Sequence, residues 1–143
     1  MSNELNGYTF EELEEGMTEV YGRTVTDADI VMFAGISGDI NPVHLNHEFA
    51  KATMFEGRIA HGMLSASYIS TVIGTRLPGP GCIYVNQNIR FKAPVKAGDT
   101  VMARVTIKAL NPEKRFVELE TTCFVGDKKV IDGEATVMVP VHA

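Results

Sequence analysis

The segment that most limits the possible folds is residues 60–77, AHGMLSASYISTVIGTRL, in which apolar or small side chains occupy nearly every position. A helix that is apolar on all sides is either buried in a protein core or embedded in a membrane. His61, Arg76 and the serine and threonine hydroxyls make this segment too polar and too short for a membrane span. We therefore predict one long buried helix here.

After this helix the hydrophobic pattern changes to a period of two residues, which indicates β-strands. In residues 82–91 one predicted face carries Ile83, Val85, Ile89 and Phe91, and the other carries Tyr84, Asn86, Asn88 and Arg90. Residues 100–110 repeat the alternation with Val101, Ala103, Val105, Ile107 and Ala109. Two further runs, 115–125 and 129–139, follow short turns, so the last three strands should be antiparallel neighbours. One long helix and about four such strands predict an α+β protein whose sheet curls around the helix.

Shorter elements precede the long helix. The sequence predicts a helix over 9–16 capped by Thr9 and Glu12, a strand over 17–25, a helix from the Thr26 cap to Gly38, and a helix over 47–55 capped by Asn46. Each cap assignment depends on a side-chain oxygen that can accept from the free N–H groups of the first helical turn.

Composition limits the partners and the compartment. The 143 residues are best interpreted as one domain, 1–143, and the net charge of −5 argues against nucleic acid or an anionic membrane as the main partner. Cys82 and Cys123 stand alone, which is typical of core residues in a reducing compartment. Neither terminus carries a recognised targeting signal, so we expect a cytoplasmic protein.

A carboxylate, an amide and an imidazole fall close together in SGDINPVHLN, residues 37–46. These are Asp39, Asn41 and His44, and the nearby Gly38 and Pro42 predict an ordered turn or loop. A solvated surface loop with an Asx turn is the simplest interpretation. A metal site is another, because His47 and His61 could join Asp39 and His44, although the sequence cannot show that their side chains converge.

General acid–base chemistry fits these residue types better than nucleophilic hydrolysis, since the chain has no G-x-S-x-G elbow and no local cysteine–histidine pair. The loop should lie against the start of the apolar helix, where free N–H groups can stabilise an oxygen that becomes negative. Gly62 at that position either lets a ligand approach the backbone or allows close helix–sheet packing.

SGDINPVHLN, together with GRIAHGMLSASYIS (57–70) and FKAPVKAGDTV (91–101), resembles the (R)-specific enoyl-CoA hydratases of the MaoC-like dehydratase family. The resemblance covers nearly the whole chain. It implies a hotdog fold, in which a long central helix is wrapped by an antiparallel sheet, and a homodimer. It also implies a hydro-lyase that adds water to a trans-2-enoyl-CoA thioester to give the (R)-3-hydroxyacyl-CoA, with no metal and no cofactor.

The resemblance also implies roles for individual residues. Asp39 and His44 match the catalytic pair, Asn41 and Ser67 match supporting residues, and Gly62 matches the glycine whose N–H binds the thioester carbonyl. The CoA phosphates need cations, for which Arg90, Lys92 and Lys96 are candidates, although a solvated strand face explains these residues as well.

Other functions use the same residues. A dehydratase for branched, dicarboxylic or acyl-carrier-protein thioesters would need the same catalytic pair. A hotdog thioesterase and a non-catalytic acyl-thioester-binding subunit are further alternatives. The intact pair of Asp39 and His44 argues against the silent subunit, which would have no use for both.

Overall fold

The computed structural model describes residues 3–142, so Met1, Ser2 and Ala143, which belong to the termini inspected for targeting signals, lie outside the described residues. The helices are α1 (Asp27–Ser37), α2 (Pro42–Leu45), α3 (His47–Lys51) and α4 (Gly62–Thr75). The strands are β1 (Thr18–Thr24), β2 (Ile83–Phe91), β3 (Thr100–Asn111), β4 (Phe116–Val125) and β5 (Lys128–Met138). The predicted α+β class is confirmed.

The five strands form one antiparallel sheet in the order β1-β3-β4-β5-β2, and α4 packs against β1, β3 and β4. As predicted, β3, β4 and β5 are hairpin neighbours. The core lies between α4 and the inner face of the sheet, where Val105, Leu119 and Ile69 are fully buried. This arrangement leaves β1 and β2 as the two edges of the sheet.

Bulges break the two-residue period and make part of the predicted face assignment wrong. In β2 the register shifts between Tyr84 and Asn86, and Tyr84 pairs with the buried Val137, so Tyr84 lies on the inner face and Ile83 on the outer one. In β3 the shift between Ile107 and Ala109 turns Ala109 outward. Each extra residue moves every later side chain to the other face.

The long helix is shorter and less enclosed than its composition suggested. Helix α4 begins at Gly62, after the N-cap residue His61, and ends at Thr75. Its sheet-facing side is buried, whereas Met63, Ser70 and Gly74, which are spaced at helical intervals, are exposed on the opposite side. The small and apolar residues of this segment therefore do not all mark core positions. None of the helices within residues 3–142 has the length and apolarity required to span a membrane.

Local capping interactions set the bounds of α1, as predicted. The Thr26 hydroxyl accepts from the Asp29 N–H at 3.0 Å, and the Asp29 carboxylate accepts from the Thr26 N–H at 3.1 Å. Gly38 ends the helix in the left-handed conformation, with φ of 79°. Arg23 of β1 contacts Asp29 at 2.7 Å, and this hydrogen bond lowers the pKa of Asp29. The resulting stabilisation is present at neutral pH and is lost as the pH falls through the lowered pKa.

The remaining local predictions hold in part. The predicted helix over 9–16 is only a 3₁₀ turn, Phe10–Glu12, although the Glu12 side chain accepts from the Thr9 N–H as the capping pattern requires. Helix α3 has the predicted Asn46 cap, whose Oδ1 accepts from the Phe49 N–H at 3.0 Å. Both cysteines are free, and burial raises the pKa of Cys123 to about 12.

Candidate active site

The loop between α1 and α2 carries the predicted catalytic carboxylate. Asp39 follows the left-handed Gly38, is exposed, and accepts from the Asn41 N–H at 3.3 Å. Asn41 in turn caps α2, accepting from the Val43 N–H at 3.1 Å, and Pro42 occupies the first helical position. The predicted turn is therefore correct for residues 38–41 and wrong for the residues that follow, which form a short helix.

The imidazole of His44 is buried and fixed by a backbone carbonyl. Its Nδ1 lies 2.8 Å from the Ile59 carbonyl oxygen, and because a carbonyl can only accept, Nδ1 carries the proton. Nε2 is then the nitrogen left for chemistry. Arg58 holds the same stretch in place, because it donates to the His44 carbonyl at 2.6 Å and pairs with Asp27 of α1 at 2.8 Å.

A second histidine joins the pair. His61, the N-cap residue of α4, is 2% exposed, and its Nε2 donates to the Asp39 carbonyl oxygen at 2.8 Å. Its ring stacks on His44 with 3.8 Å between the ring centroids. One carboxylate oxygen of Asp39 and one ring nitrogen of each histidine all lie within 4.8 Å of one another. The loop thus lies against the helix start, as the sequence indicated.

The metal interpretation is not favoured by this geometry. The two imidazole planes lie only 29° apart, so their in-plane lone pairs run side by side and do not converge on one point. Metal centres need ligand atoms that converge. His47, the other ligand considered, is exposed on α3 and is not part of the cluster. The arrangement is better suited to moving protons between neighbouring groups.

A cavity of about 450 Å³ opens beside this cluster. Asp39, His61, Gly62 and Ser65 contribute to its wall. The rest of the wall is almost entirely apolar and is formed by Met54, Phe55, Ile59, Ala60, Met63, Phe91, Ala93, Pro94, Val95, Val130 and Ile131, with Lys92 as the one cation. His44 is not among the lining residues and lies against His61 instead. The cavity therefore combines an apolar pocket with a polar end.

A bulge in β5 shapes one wall of the cavity. The register between β4 and β5 shifts at Cys123 and Phe124, so Val130 has no partner in the ladder, and Val130 and Ile131 are both buried although they are consecutive. Two adjacent apolar side chains can therefore line the cavity, which a regular strand would not allow.

Gly62 lies at the polar end of the cavity, in the first turn of α4. Within residues 3–142, neither the Gly62 N–H nor the Met63 N–H donates to a protein acceptor, so both remain available to a ligand. A Cβ on Gly62 would lie 2.6 Å from Cε1 of Phe91, which is too close. Close packing against β2 therefore explains the absence of a side chain, and the same position leaves the N–H accessible to a ligand.

The two serines of the first half of α4 have different surroundings. Ser67, which the resemblance assigns a supporting role, donates its hydroxyl to the Leu64 carbonyl at 2.5 Å, and no hydrogen bond joins it to Asp39 or His44 among the described residues. Ser65 is 2% exposed and lines the cavity, and its Oγ has no protein partner there. A bound water or ligand could therefore pair with the Ser65 hydroxyl.

The three cations considered for CoA phosphates also differ. Lys92 lines the cavity, whereas Lys96 donates to the Phe55 carbonyl at 2.9 Å. Arg90 lies on the outer face of β2, near Glu120, Asp132 and Glu134. Of these three cations, Lys92 is the one that lines the pocket.

Sequence reasoning assigned no catalytic role to His61 or Ser65. His61 is the histidine of the A-H-G-M stretch at the helix start, and Ser65 follows that stretch, but 22 positions separate Asp39 from His61, so only the folded chain brings these two together. The available signal was a histidine directly before the first residue of the apolar helix.

The sequence and the fold both match characterised families. The family described as "MaoC like domain" matches residues 9–132. An (R)-specific enoyl-CoA hydratase from Rhodospirillum rubrum is 59% identical, with 92% of this chain and 91% of the relative covered. A 3-hydroxybutyryl-CoA dehydratase from Methylorubrum extorquens is 50% identical, with 98% and 89% covered.

Among solved structures, the R-hydratase PhaJ1 from Pseudomonas aeruginosa in the unliganded form is similar, with a TM-score of 0.88 and 44% identity over 94% of this chain and 86% of that one. This likeness confirms the predicted hotdog fold, with its antiparallel sheet around a central helix. The family match and the high identity over nearly full length agree with the resemblance drawn from the motifs. The chain belongs to the MaoC-like dehydratase family.

Proposed function

We propose that this protein catalyses the reversible, (R)-specific hydration of trans-2-enoyl-CoA to (R)-3-hydroxyacyl-CoA. The observation that carries the proposal is the cluster of Asp39, His61 and His44 beside the open N-terminus of α4: Asp39 and His61 line the polar end of an apolar cavity, and His44 stacks on His61 next to it. The direction and stereochemistry follow the name of the relative from Rhodospirillum rubrum. The relative from Methylorubrum extorquens is named for the reverse reaction on a four-carbon acyl group.

In this mechanism Asp39 takes a proton from a water molecule whose oxygen bonds to C3 of the enoyl group. The electron pair of the C2=C3 bond moves toward the thioester carbonyl. His44, which in this mechanism enters the reaction with protons on both Nδ1 and Nε2, delivers the Nε2 proton to C2 as the enolate collapses and keeps the Nδ1 proton hydrogen-bonded to the Ile59 carbonyl. A water molecule between the two groups, whose atoms lie within 4.8 Å of each other, then returns the Asp39 proton to His44. Water is added without any net change in the protein, and each positioned group should contribute about 10²–10⁴-fold.

The helix tip stabilises the enolate in this proposal. The free N–H groups of Gly62 and Met63 point from the first turn of a 14-residue helix, where the helix dipole is positive. An oxygen that gains negative charge there is bound more tightly than the neutral carbonyl, and one such donor contributes about 3 kcal/mol. The acyl chain would occupy the apolar part of the cavity, and Lys92 would lie near the CoA phosphates.

We further propose that residues 1–143 form one such unit, that it acts as a homodimer, and that it works in the cytoplasm. The exposed edge strand β2 supports the dimer, because Ile83, Val85 and Phe91 are 48%, 50% and 54% exposed. Free cysteines are consistent with a reducing compartment. Sedimentation of the purified protein tests the dimer, and fractionation of the source cell tests the compartment.

The central experiment is an assay of the purified protein with crotonyl-CoA. Loss of the enoyl absorbance with formation of (R)-3-hydroxybutyryl-CoA is the expected result. Release of free CoA would instead indicate a thioesterase. Absence of any turnover across a panel of straight, branched, dicarboxylic and acyl-carrier-protein thioesters would refute the enzyme and favour a binding subunit.

The role of Gly62 can be tested with a pair of variants. Gly62→Ala forces the Phe91 ring away from its position 2.6 Å from the new Cβ, and we expect kcat/KM for crotonyl-CoA to fall by about 10²-fold as the site is displaced. Phe91→Ala in the same chain removes the ring atoms that the new Cβ would meet, so the double variant should recover kcat/KM to the value of Phe91→Ala alone.

The single variant Phe91→Ala is the reference for this experiment, because Phe91 lines the cavity and its loss by itself can lower kcat/KM. Failure of the double variant to recover would show that the added methyl group itself obstructs the thioester, and close packing would then not be the reason for a glycine at this position.

A further inference from the structure

His61 has a side chain that its position in the helix does not require. It is the N-cap residue of α4, yet its side chain makes no capping hydrogen bond. The ring is 2% exposed, lines the cavity, and has Phe33 on one side with 4.9 Å between ring centroids. Its contacts are therefore directed at the site and not at the end of the helix.

The first of these contacts reaches the backbone of Asp39. Nε2 of His61 donates to the Asp39 carbonyl oxygen at 2.8 Å, across 22 positions of the chain. The other hydrogen bonds of Asp39 among the described residues are local, to Ser37 at 3.1 Å and to Asn41 at 3.3 Å. The bond from His61 is therefore what ties this exposed residue to the tip of α4.

The second contact is with His44. The two rings stack with 3.8 Å between their centroids and 29° between their planes. Nδ1 of His44 is hydrogen-bonded to the carbonyl of Ile59, two residues before His61. One side chain thus touches both members of the acid–base pair. The position of the His61 ring therefore sets the distance between the Asp39 carboxylate and the His44 imidazole.

The remaining nitrogen of His61 shows that packing alone does not account for this residue. Nδ1 is buried and has no hydrogen-bond partner within residues 3–142. A buried acceptor without a partner costs stability, and phenylalanine would fill the same space without that cost. Histidine therefore has one advantage over phenylalanine at this position, which is the hydrogen bond that its Nε2 donates.

We propose that His61 is a positioning residue for the hydration reaction: its Nε2–H fixes the Asp39 backbone to the tip of α4, and its ring face fixes the imidazole of His44. This inference depends on the proposed function. In this proposal His61 itself gives and takes no proton: its Nε2–H stays hydrogen-bonded to the Asp39 carbonyl oxygen, and the side chain holds the two groups that react.

The test compares two substitutions that each keep part of the side chain. His61→Phe keeps the stacked ring and loses the donor, whereas His61→Gln keeps an amide donor near the Nε2 position and loses the ring. We expect His61→Phe to lower kcat for crotonyl-CoA by about 10²-fold with KM within about twofold, because a small misplacement of reacting groups has this cost. His61→Gln should recover kcat to within about tenfold of the wild type.

His142→Phe is the matched control, because Nε2 of His142 is likewise buried without a partner and the ring lies beside Gly81, away from the cluster. It should leave kcat unchanged. Wild-type kcat in His61→Phe, or equal losses in the Phe and Gln variants, would overturn the proposal. If His61→Phe does not fold, His61→Asn replaces it: its shorter amide cannot reach the Asp39 carbonyl, so equal kcat in the Asn and Gln variants would overturn the proposal.

One readout does not depend on activity. A long-range ¹H–¹⁵N spectrum of the imidazoles at mildly alkaline pH should show the proton of His61 on Nε2 and that of His44 on Nδ1. A proton on Nδ1 of His61 would exclude the bond to Asp39. An inactive wild type would instead refute the proposed function, so the two failures can be told apart.

Discussion

Asp39→Asn should give a folded protein that hydrates crotonyl-CoA about 10²–10⁴ times more slowly than the wild type. Asparagine keeps the side-chain oxygen that accepts from the Asn41 N–H, so the loop retains its local hydrogen bond. The side chain is exposed, so its replacement disturbs no packing. An amide cannot accept the proton of the attacking water, and the loss should therefore appear in kcat.

The control for Asp39→Asn is the same substitution at an acidic residue far from the site. Asp127 lies in the turn between β4 and β5, and Asp127→Asn carries the same change of charge without touching the cavity. Thermal unfolding of both variants should match that of the wild type. Full activity in Asp39→Asn would exclude this carboxylate as the base that activates water.

Two substitutions separate the catalytic role proposed for His44 from its structural role. His44→Asn places an amide near the Nδ1 position and can keep the 2.8 Å bond to the Ile59 carbonyl, whereas His44→Gln places its amide near Nε2 and leaves that carbonyl without a partner. Both variants lack an imidazole that can carry a proton, so both should lose about 10²–10⁴-fold in kcat. Only His44→Gln should also lose stability, by about 1–3 kcal/mol.

Activity assays and thermal unfolding of the two variants distinguish a catalytic role of His44 from a purely structural one. If His44 were only a structural residue, His44→Asn would stay active because it preserves the bond to Ile59. Activity in His44→Asn close to the wild-type value would therefore remove His44 from the mechanism and leave Asp39 without its proposed partner.

The local elements were predictable because their causes lie within a few residues. The residues that bound α1 could be recognised in the sequence. Thr26 and Asp29 form reciprocal hydrogen bonds at its start, and Gly38 ends it in the left-handed conformation. Asn46 likewise caps α3. The short turns before β4 and β5 required antiparallel hairpins. The turn over residues 38–41 was also predictable, since Gly38, Asp39 and Asn41 are near neighbours in the chain, whereas the short helix α2 that carries His44 was not predicted.

The errors arose where tertiary packing changed a local pattern. A bulge is an insertion in one strand relative to its partner, so the faces of Ile83, Tyr84 and Ala109 could not be read from one strand alone. The exposed side of α4 at Met63 and Gly74 has a different explanation, because small and apolar residues occur at exposed positions as well as in the core.

Taken alone, the chain determined its α+β class, its family, and the closeness in sequence of the Asp39 carboxyl and the His44 imidazole, because hydrophobic period, caps and motif spacing are short-range properties. Only the tertiary structure decided that His61 joins them, that Ser65 and not Ser67 lines the cavity, and that Val130 and Ile131 both face into it. The physical reason is that a site depends on where side chains from distant segments meet. That meeting is set by the register of the sheet and by the packing of α4 against it, which no single segment encodes.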